Sequence, residues 1–181
     1  MSHNISNKKE SRWLPMDIRI SEDVPESYLA EVRHILSNSE FLLLDKYFHH
    51  HKTSRLTHSI HVSYLSWLLA KKLGCDEKAA ARAGLLHDFC PYNFREKTPK
   101  GEHPAFHHPK AAVENSSRVF QINDREQDAI RTHMFPLGPV PRNKEAWIIT
   151  LADKICAAME YCHVETNFMG KDRMIIARTS A

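Results

Sequence analysis

The chain has 181 residues, of which 42% are hydrophobic and 26% charged, and its formal net charge at pH 7 is +3. A chain of this length and balance forms one domain with a sizeable hydrophobic core, which excludes a disordered or fibrous protein. The charge is too small, and the basic residues are too scattered, to indicate a nucleic-acid surface. Only 5 glycines are present, while alanine, leucine, lysine and glutamate are frequent, so we predict an all-α fold.

The sequence also restricts the cellular compartment. The four cysteines have no CxxC spacing, which is typical of reduced thiols rather than of a disulfide framework. The first twenty residues lack the apolar stretch of a signal sequence, and no run of about 18 apolar residues could span a bilayer. We therefore expect a soluble, cytoplasmic protein that does not contact membranes.

Three segments are predicted along the chain. Residues 1–20 form a flexible N-terminal arm, residues 21–170 a helical domain, and residues 171–181 a C-terminal tail. The domain is expected to hold about six to eight helices. The apolar residues of the arm could dock on the domain or on a neighbouring subunit, which leaves a homodimer open; they are Trp13, Leu14, Met16 and Ile18.

The first predicted helix begins near Pro25 and is followed by an apolar segment from Phe41 to Phe48. The three histidines at positions 49–51 are interpreted as a polar surface turn, with adventitious metal binding as the alternative. The helix is predicted because its apolar residues recur at helical spacing, as in Tyr28, Leu29, Val32, Ile35 and Leu36.

A longer helix is predicted from Thr57 to Leu73, with Gly74 as a left-handed stop. His58 shares one face of this helix with apolar residues that follow it at intervals of three or four positions. A histidine on that face points into the core. The apolar residues concerned are Val62, Leu65 and Leu69.

The next helix ends in the histidine-aspartate pair His87-Asp88. Asp76 is its predicted N-cap, and the small residues at positions 79–84 permit close packing against a neighbouring helix. Two polar side chains at the end of so apolar a run would be buried, and a buried carboxylate without a partner is strongly unfavourable. A bound cation would remove that penalty.

Two more histidines are predicted at helix ends beside loops. Residues 91–107 form a long loop, and a helix is predicted to start after His108-Pro109, because proline suits the first helical position. Asn123 or Asp124 starts a further helix, which ends at His133. Both histidines would then face loops that could border a site.

The last strong helix is predicted from Lys144 to Tyr161. Asp153 and Glu160 share one face of it with apolar residues such as Ile149. Asp153 is therefore expected in an apolar setting, where a carboxylate requires a partner.

The order of these polar residues resembles a known family. His58, then His87-Asp88, then Asp153 is similar to the H…HD…D signature of the HD-domain superfamily of metal-dependent phosphohydrolases. The similarity extends over residues 25–165, which implies a single HD-type helical bundle. The segment 149–154 (ITLADK) is part of this similarity to the superfamily. Within the superfamily, the chain resembles a group of small bacterial HD hydrolases in two short segments: 108–115 (HPKAAVEN) and 133–137 (HMFPL).

The resemblance implies a metal centre. In the superfamily the four signature residues bind one ion. In HD phosphodiesterases with two metals, two further histidines bind the second ion, with the aspartate of the pair as the bridge. Imidazole and carboxylate ligands suit divalent transition metals such as Fe, Mn, Co, Ni or Zn. Carried over to this chain, the first set is His58, His87, Asp88 and Asp153, and the second set adds His108 and His133 to Asp88.

The reaction implied is hydrolysis of a phosphomonoester or phosphodiester by a metal-activated hydroxide, with a nucleotide or another small phosphate ester as substrate. Asp88, His108 and His133 are the expected catalytic residues. Basic residues beside the ligands could hold phosphate, arginine doing so through two parallel hydrogen bonds. These residues are Arg55, Arg95, Lys97, Lys100 and Arg142.

The chain departs from the commonest superfamily pattern after the pair. Many HD hydrolases continue as HD-x-G-K, whereas this chain reads His87-Asp88-Phe89-Cys90-Pro91. The lysine that would contact phosphate therefore has no assignment. The departure also weakens any transfer of substrate from other branches of the superfamily.

Several residues keep two interpretations. His107 is the alternative to His108, although the predicted helix start favours His108. Glu160 either supports the site or is solvated. His61 is interpreted as part of a polar helix flank, and Trp67 and Trp147 as core or interface residues.

Two other functions are compatible with these residues. One is a di-iron oxygenase, because some HD-fold proteins use the same ligand types with O₂. The other is a non-catalytic nucleotide-binding module in which the metal is structural.

Overall fold

The computed structural model describes residues 24–50, 53–98 and 100–162, together with the backbone of two paired strands, β1 (Trp13–Leu14) and β2 (Ile18–Arg19). The side chains at positions 49, 50, 95 and 97 lie outside this description. Most of the predicted arm and all of the predicted tail also lie outside the described residues, so the three-segment organisation stays a prediction.

The fold is all-α, as predicted. The only sheet structure in the described part is β1–β2 and a second antiparallel pair, β3 (Phe48–His50) and β4 (Thr53–Ser54), which leads into the longest helix. The helices in chain order are α1 (Glu26–Leu36), α2 (Ser39–Leu42), a 3₁₀ turn (Leu43–Lys46), α3 (Arg55–Leu73), α4 (Glu77–Leu86), α5 (Phe94–Lys97), α6 (Pro104–Val119), α7 (Asp124–Thr132) and α8 (Lys144–Tyr161).

Side-chain caps set the ends of several helices. Ser54 accepts a hydrogen bond from the backbone N–H of Thr57, so α3 begins two residues earlier than predicted. Gly74 ends α3 in the left-handed conformation with φ +64°, which a residue with a Cβ rarely adopts. Asp76 caps α4, and Asn123 caps α7 in a reciprocal capping box with its third helical residue. The predicted roles of Gly74 and Asp76 are confirmed, and α7 begins at Asp124, one of its two predicted starts.

The predicted start of α6 is wrong. The helix begins at Pro104, after His103 has capped it by accepting from the backbone N–H of Ala105. Pro104 occupies the favourable first position, so Pro109 lies inside the helix rather than at its start. His108 therefore projects from the second turn of a helix, and only His133 occupies a helix end. The predicted loop before His108 also contains α5.

The core lies where α3 and α4 pack closely together, with α1, α7 and α8 around them. A Cβ added to Gly84 would lie 3.0 Å from the Cα of Ser63, so only glycine permits this approach of α4 to α3. Ser63 also donates to the carbonyl of Ala81 at 2.7 Å and accepts from the hydroxyl of Tyr28. The small residues of α4 thus bring its C-terminal end against the face of α3.

Other expectations are settled by burial. Trp67 is buried in the core, whereas Trp147 is 46% exposed and contacts Phe135 edge-on. All four cysteines are free, and Cys90 and Cys156 are buried. Within the described residues, no helix combines the length and the apolar character needed to cross a membrane.

Candidate metal centre

Two groups of ligand-type side chains lie in the interior and share Asp88. The first group contains His58, His87 and Asp88, and the second contains Asp88, His108 and His133. Within each group the ligand atoms lie within 4.8 Å of one another, and all five residues are buried. The fold thus brings together the pair and the three separate histidines that the sequence analysis selected.

His87 and His133 have the same local environment, because each is the C-cap of a helix. The last carbonyl groups of a helix lack backbone donors. His87 Nδ1–H donates to the carbonyl of Gly84 at 2.8 Å, and His133 Nδ1–H donates to that of Ile130 at 2.7 Å. Since a carbonyl only accepts, Nδ1 carries the proton of each neutral ring and Nε2 presents a lone pair.

His108 reaches the same state from inside α6. Its Nδ1–H donates to the carbonyl of Pro104 at 2.8 Å, one turn earlier in the helix. Its Nε2 lies 3.0 Å from His133 Nε2 and 3.4 Å from a carboxylate oxygen of Asp88. In their neutral forms the three rings therefore share one tautomer, with Nε2 directed at the shared aspartate.

Without a cation this arrangement is unfavourable. Burial, followed by the neighbouring imidazoles, lowers the pKa of His133 to about 3, so His133 is neutral near neutral pH. Opposite a neutral His108 ring with its proton on Nδ1, two Nε2 lone pairs face each other in a buried space. His87 Nε2 is buried too and has no hydrogen-bond partner among the described residues. A bound cation would satisfy all three nitrogens.

The donor set fits a divalent transition metal. Imidazole nitrogens and a carboxylate suit such ions. Each of the three rings also has its Nδ1–H fixed by a backbone carbonyl, which is the usual support for a metal-binding histidine. The residues present therefore fit the metal that the resemblance implies.

His58 and Asp153 lie beside the first group. His58 Nε2 contacts the carboxylate of Asp153 at 3.1 Å, and the same oxygen is 3.7 Å from His87 Nε2. On the other side of its ring, His58 Nδ1–H donates to the carboxylate of Glu160 at 3.0 Å. Glu160, whose role the sequence left open, is thus the residue that orients His58; its side chain is buried at 3% exposure.

The two carboxylates decide the charge of His58 in the metal-free protein. Burial opposes the charged ring, but the hydrogen bonds with Asp153 and Glu160 outweigh it and raise the pKa of His58 to about 10. Burial likewise acts against both carboxylates, yet the bond with His58 lowers the pKa of Asp153 below its usual range and that of Glu160 to about 2. The proton shared by His58 and Asp153 lies between two residues that the resemblance assigns as metal ligands.

The other candidate histidines lie apart from the two groups. His107 is partly exposed and donates from Nδ1 to Glu102 at 3.0 Å, whereas its neighbour His108 is buried against Asp88. The geometry therefore favours His108 over His107. His61 lies on the edge of the centre, where its Nδ1 is 3.5 Å from Glu160. The side chains at positions 49–51 lie outside the described residues.

The structure describes the side chains of three of the five predicted phosphate-binding residues. Arg55 is buried, and its guanidinium donates to two backbone carbonyls of the loop after the pair. Lys100 and Arg142 are exposed, and the side chains of Arg95 and Lys97 lie outside the described residues. Phosphate binding by these five residues stays a prediction, with Arg55 already engaged in backbone contacts.

Two residues beside the centre were not selected from the sequence. Lys154 follows Asp153 in α8, and its Nζ donates to the carbonyl of His133 at 3.1 Å. Phe94 stacks on the ring of His108 with their centroids 4.8 Å apart. Lys154 could have been found from its position next to a candidate ligand, but no local pattern marks Phe94.

Comparison with known proteins gives an independent result. The model of the family described as HD domain matches residues 55–158, which include both ligand groups. Ribonuclease Y of Alkaliphilus metalliredigens (strain QYMF) is 34% identical over 112 residues, covering 61% of this chain and 21% of that protein. Ribonuclease Y of Clostridium perfringens (strain SM101 / Type A) is 33% identical over 112 residues, covering 61% of this chain and 20% of that protein.

A shorter and closer similarity is also present. Ribonuclease Y of Bacillus thuringiensis (strain Al Hakam) is 64% identical over 33 residues, which are 18% of this chain and 6% of that protein. The chain matches only about a fifth of the length of the first two relatives, and no solved structure matches it.

Proposed function

Because this chain belongs to the HD-domain family, we propose that it is a metal-dependent phosphohydrolase acting on a nucleotide or another small phosphate ester. One observation carries the proposal: three buried histidines each donate Nδ1–H to a backbone carbonyl and direct Nε2 towards the region of Asp88. Such a set is an acceptor for cations and has no evident use in holding the fold together.

The proposed ligands fall into two sets joined by Asp88. His58, His87 and Asp153 would hold one ion with it, and His108 and His133 a second. When bound, two divalent ions lower the pKa of water, orient a phosphate and neutralise its negative charge. Fe, Mn, Co, Ni and Zn are the candidates, because the donors are imidazoles and carboxylates rather than oxygen alone.

The other residues of the centre hold and orient these ligands. Glu160 accepts the Nδ1–H of His58, which keeps Nε2 of that ring directed inwards. Lys154 places a cation beside the carbonyl of His133, where its remaining N–H groups could contact a phosphate oxygen. We propose Lys154 for the phosphate contact that the missing Gly-Lys leaves without an assignment.

The relatives support a phosphodiester as one substrate class. These relatives are named ribonucleases, and cleavage of RNA is hydrolysis or transfer at a phosphodiester. Since this chain matches only about a fifth of those proteins, we propose the ester class and not their substrate. Phosphomonoesters and ribonucleotide phosphodiesters are therefore tested together.

The test begins with elemental analysis of protein purified without added metal. The metal found is then removed with a chelator and restored, and hydrolysis of phosphomonoesters and phosphodiesters is measured at each stage. We expect turnover that is lost on chelation and regained with the metal. A fully loaded protein that hydrolyses no member of a broad panel would contradict the proposal.

The same samples distinguish the two other functions. A di-iron oxygenase would consume O₂ and show the spectrum of a reduced di-iron centre, whereas a colourless protein active with Mn²⁺ excludes it. A non-catalytic module would show melting shifts with nucleotides that it never hydrolyses.

A further inference from the structure

The segment after the His87-Asp88 pair is held by a buried arginine. Arg55, the first residue of α3, donates from one guanidinium nitrogen to the carbonyl of Cys90 at 2.5 Å and to that of Tyr92 at 3.0 Å. Arg55 is 3% exposed. A buried guanidinium that bonds two carbonyls of one short segment fixes the path of that segment.

The same arginine holds an aromatic ring at the end of the segment. The guanidinium carbon of Arg55 lies 3.7 Å from the ring centroid of Phe94 and 5.5 Å from that of Tyr47. Arginine stacks on aromatic faces through its planar, weakly hydrated cation. Phe94 is therefore fixed both through the backbone of its segment and through its own ring.

The other neighbour of Phe94 is a candidate ligand. The rings of Phe94 and His108 are stacked, with centroids 4.8 Å apart and an angle of 29° between their planes. His108 is 7% exposed, whereas His87 and His133 are at most 1% exposed. His108 is thus the outermost of the three histidines, and Phe94 covers one face of its ring.

The stacking of Phe94 restricts a movement of the His108 ring that its hydrogen bond to Pro104 leaves free. The hydrogen bond from Nδ1 to Pro104 sets the tautomer, but a single bond permits the ring to swing about it. A ring stacked against its face limits that swing, so Nε2 stays directed at Asp88. Within the centre, the ring of His133 contacts those of both His87 and His108, whereas the ring of His108 contacts only that of His133.

We propose that Arg55 and Phe94 are positioning residues for the second metal ion: Arg55 fixes the segment 90–94, and Phe94 holds the ring of His108 in its ligating orientation. The inference rests on the two-ion centre proposed above. It also gives Arg55 a role other than the phosphate contact expected from the sequence. The segment in which the common Gly-Lys is missing would thereby act on the metal site and not on the substrate.

The test counts metal ions rather than turnover. Metal-free protein is titrated with Mn²⁺ by calorimetry, and the affinities of the two ions are resolved. In Phe94→Leu we expect the affinity for the second ion to fall about 10- to 100-fold, the usual loss when a residue supporting a ligand is removed. The first ion, held by His58, His87, Asp88 and Asp153, should bind as in the wild type. Phe94→Tyr keeps the ring and should restore the second affinity.

Arg55→Lys tests the other half of the proposal. Lysine keeps the charge but lacks the planar group that stacks on Phe94 while donating to two carbonyls. The affinity for the second ion should therefore fall in Arg55→Lys, as in Phe94→Leu. Phe120→Leu is the matched control: Phe120 is a buried ring of the core, and its loss should lower the melting temperature without changing the ratio of the two affinities.

The outcomes separate the inference from its premise. Wild-type protein that takes up fewer than two ions contradicts the two-ion centre itself. If the wild type binds two ions, Phe94→Leu should weaken only the affinity for the second. Equal loss of both affinities, or no loss of either, would overturn the role of Phe94. If Arg55→Lys binds the second ion with wild-type affinity, the role of Arg55 is overturned.

Discussion

Two buried polar clusters lie along α4, and they differ in how their polar atoms are satisfied. In the cluster around Arg82, the guanidinium donates to Glu126 at 2.5 Å, to His34 Nε2 at 2.6 Å and to the carbonyl of Gln121 at 2.7 Å. Each of the three guanidinium nitrogens meets an acceptor supplied by the chain itself. This cluster joins α4 to α1 and to the start of α7.

The centre at the C-terminal end of α4 lacks that balance. Its three imidazole lone pairs and the carboxylate of Asp88 are all acceptors, and the ring donors are used on backbone carbonyls. Burial alone therefore does not distinguish a structural cluster from a functional one, because both are buried. The distinction lies in the direction of donors and acceptors: a balanced cluster stabilises the fold, and a convergence of acceptors requires a cation.

The largest effect is expected from Asp88→Asn, which removes the shared charge and keeps the shape of the side chain. Activity should fall about 10³-fold or more, since the several kcal/mol of transition-state stabilisation supplied by metal ions is lost. The melting temperature of the metal-free protein should not fall, because a buried charge is removed. Hydrolysis rate and metal content are measured on the same sample.

Asp124→Asn is the matched control for that change, because Asp124 is exposed at the start of α7. It should keep both the metal and the rate. An Asp88→Asn protein that retains full metal content and rate would show that the centre is a structural cluster like that of Arg82.

Arg82→Met should have the opposite effects to Asp88→Asn: the fold should lose stability, and the metal should be kept. The change leaves Glu126 buried without its partner, which destabilises the fold by about 3 to 5 kcal/mol, while the metal content stays that of the wild type. Denaturant unfolding measures the loss. The double variant with Glu126→Leu should recover most of it, since replacing a whole buried ion pair by apolar residues is often neutral; loss of metal in either variant would mean that the two clusters are coupled.

The sequence predicted best those features that are local. The ends of α3, α4 and α7 follow from caps at Gly74, Asp76 and Asn123, because each cap acts within its own turn. The inward direction of His58 and Asp153 followed from helical spacing alone. The presence of α8 from Lys144 to Tyr161 was predicted for the same reason.

What the sequence missed depends on contacts between distant segments. The spacing placed Glu160 on the face of Asp153 but could not show that it orients His58, which is 102 residues away. Arg55 looked like a phosphate ligand because its bonds to the segment after the pair exist only in the folded chain. The start of α6 was misplaced because two prolines, at positions 104 and 109, both suit a first helical position, and the cap at His103 decides between them.

Removal of metal tests the cation requirement directly. At a free metal concentration 100 times the dissociation constant, binding stabilises the fold by about 2.7 kcal/mol, so chelation should lower the melting temperature by about 5 to 10 °C. Asp88→Asn should show almost no such shift, whereas Arg82→Met should show the full shift from a lower starting point. Equal melting temperatures with and without metal in the wild type would contradict a cation requirement.

The smallest effect is a pH dependence of the metal-free protein. The pKa of His58 is about 10 in the folded chain and 6.5 ordinarily, because its bonds to Asp153 and Glu160 outweigh burial. The protonated ring therefore stabilises the fold fully below pH 6.5, and this contribution, on the order of 2 kcal/mol, is lost as the pH rises towards 10. On the acid side, Glu160 has a pKa lowered from 4.5 to about 2, so its share is lost as the pH falls through that range.

In the metal-free protein, Glu160→Gln should reduce the loss of stability at both alkaline and acid pH. It removes one of the two charges that hold the proton on His58. Arg82→Met should keep the profile and lower it at every pH, since its cluster does not contact His58. Unfolding free energies are compared from pH 3 to 10 with chelator present. A wild-type profile as flat as that of Glu160→Gln would show that His58 is neutral in the folded chain, and the first ligand group would then resemble the second in needing a cation at every pH.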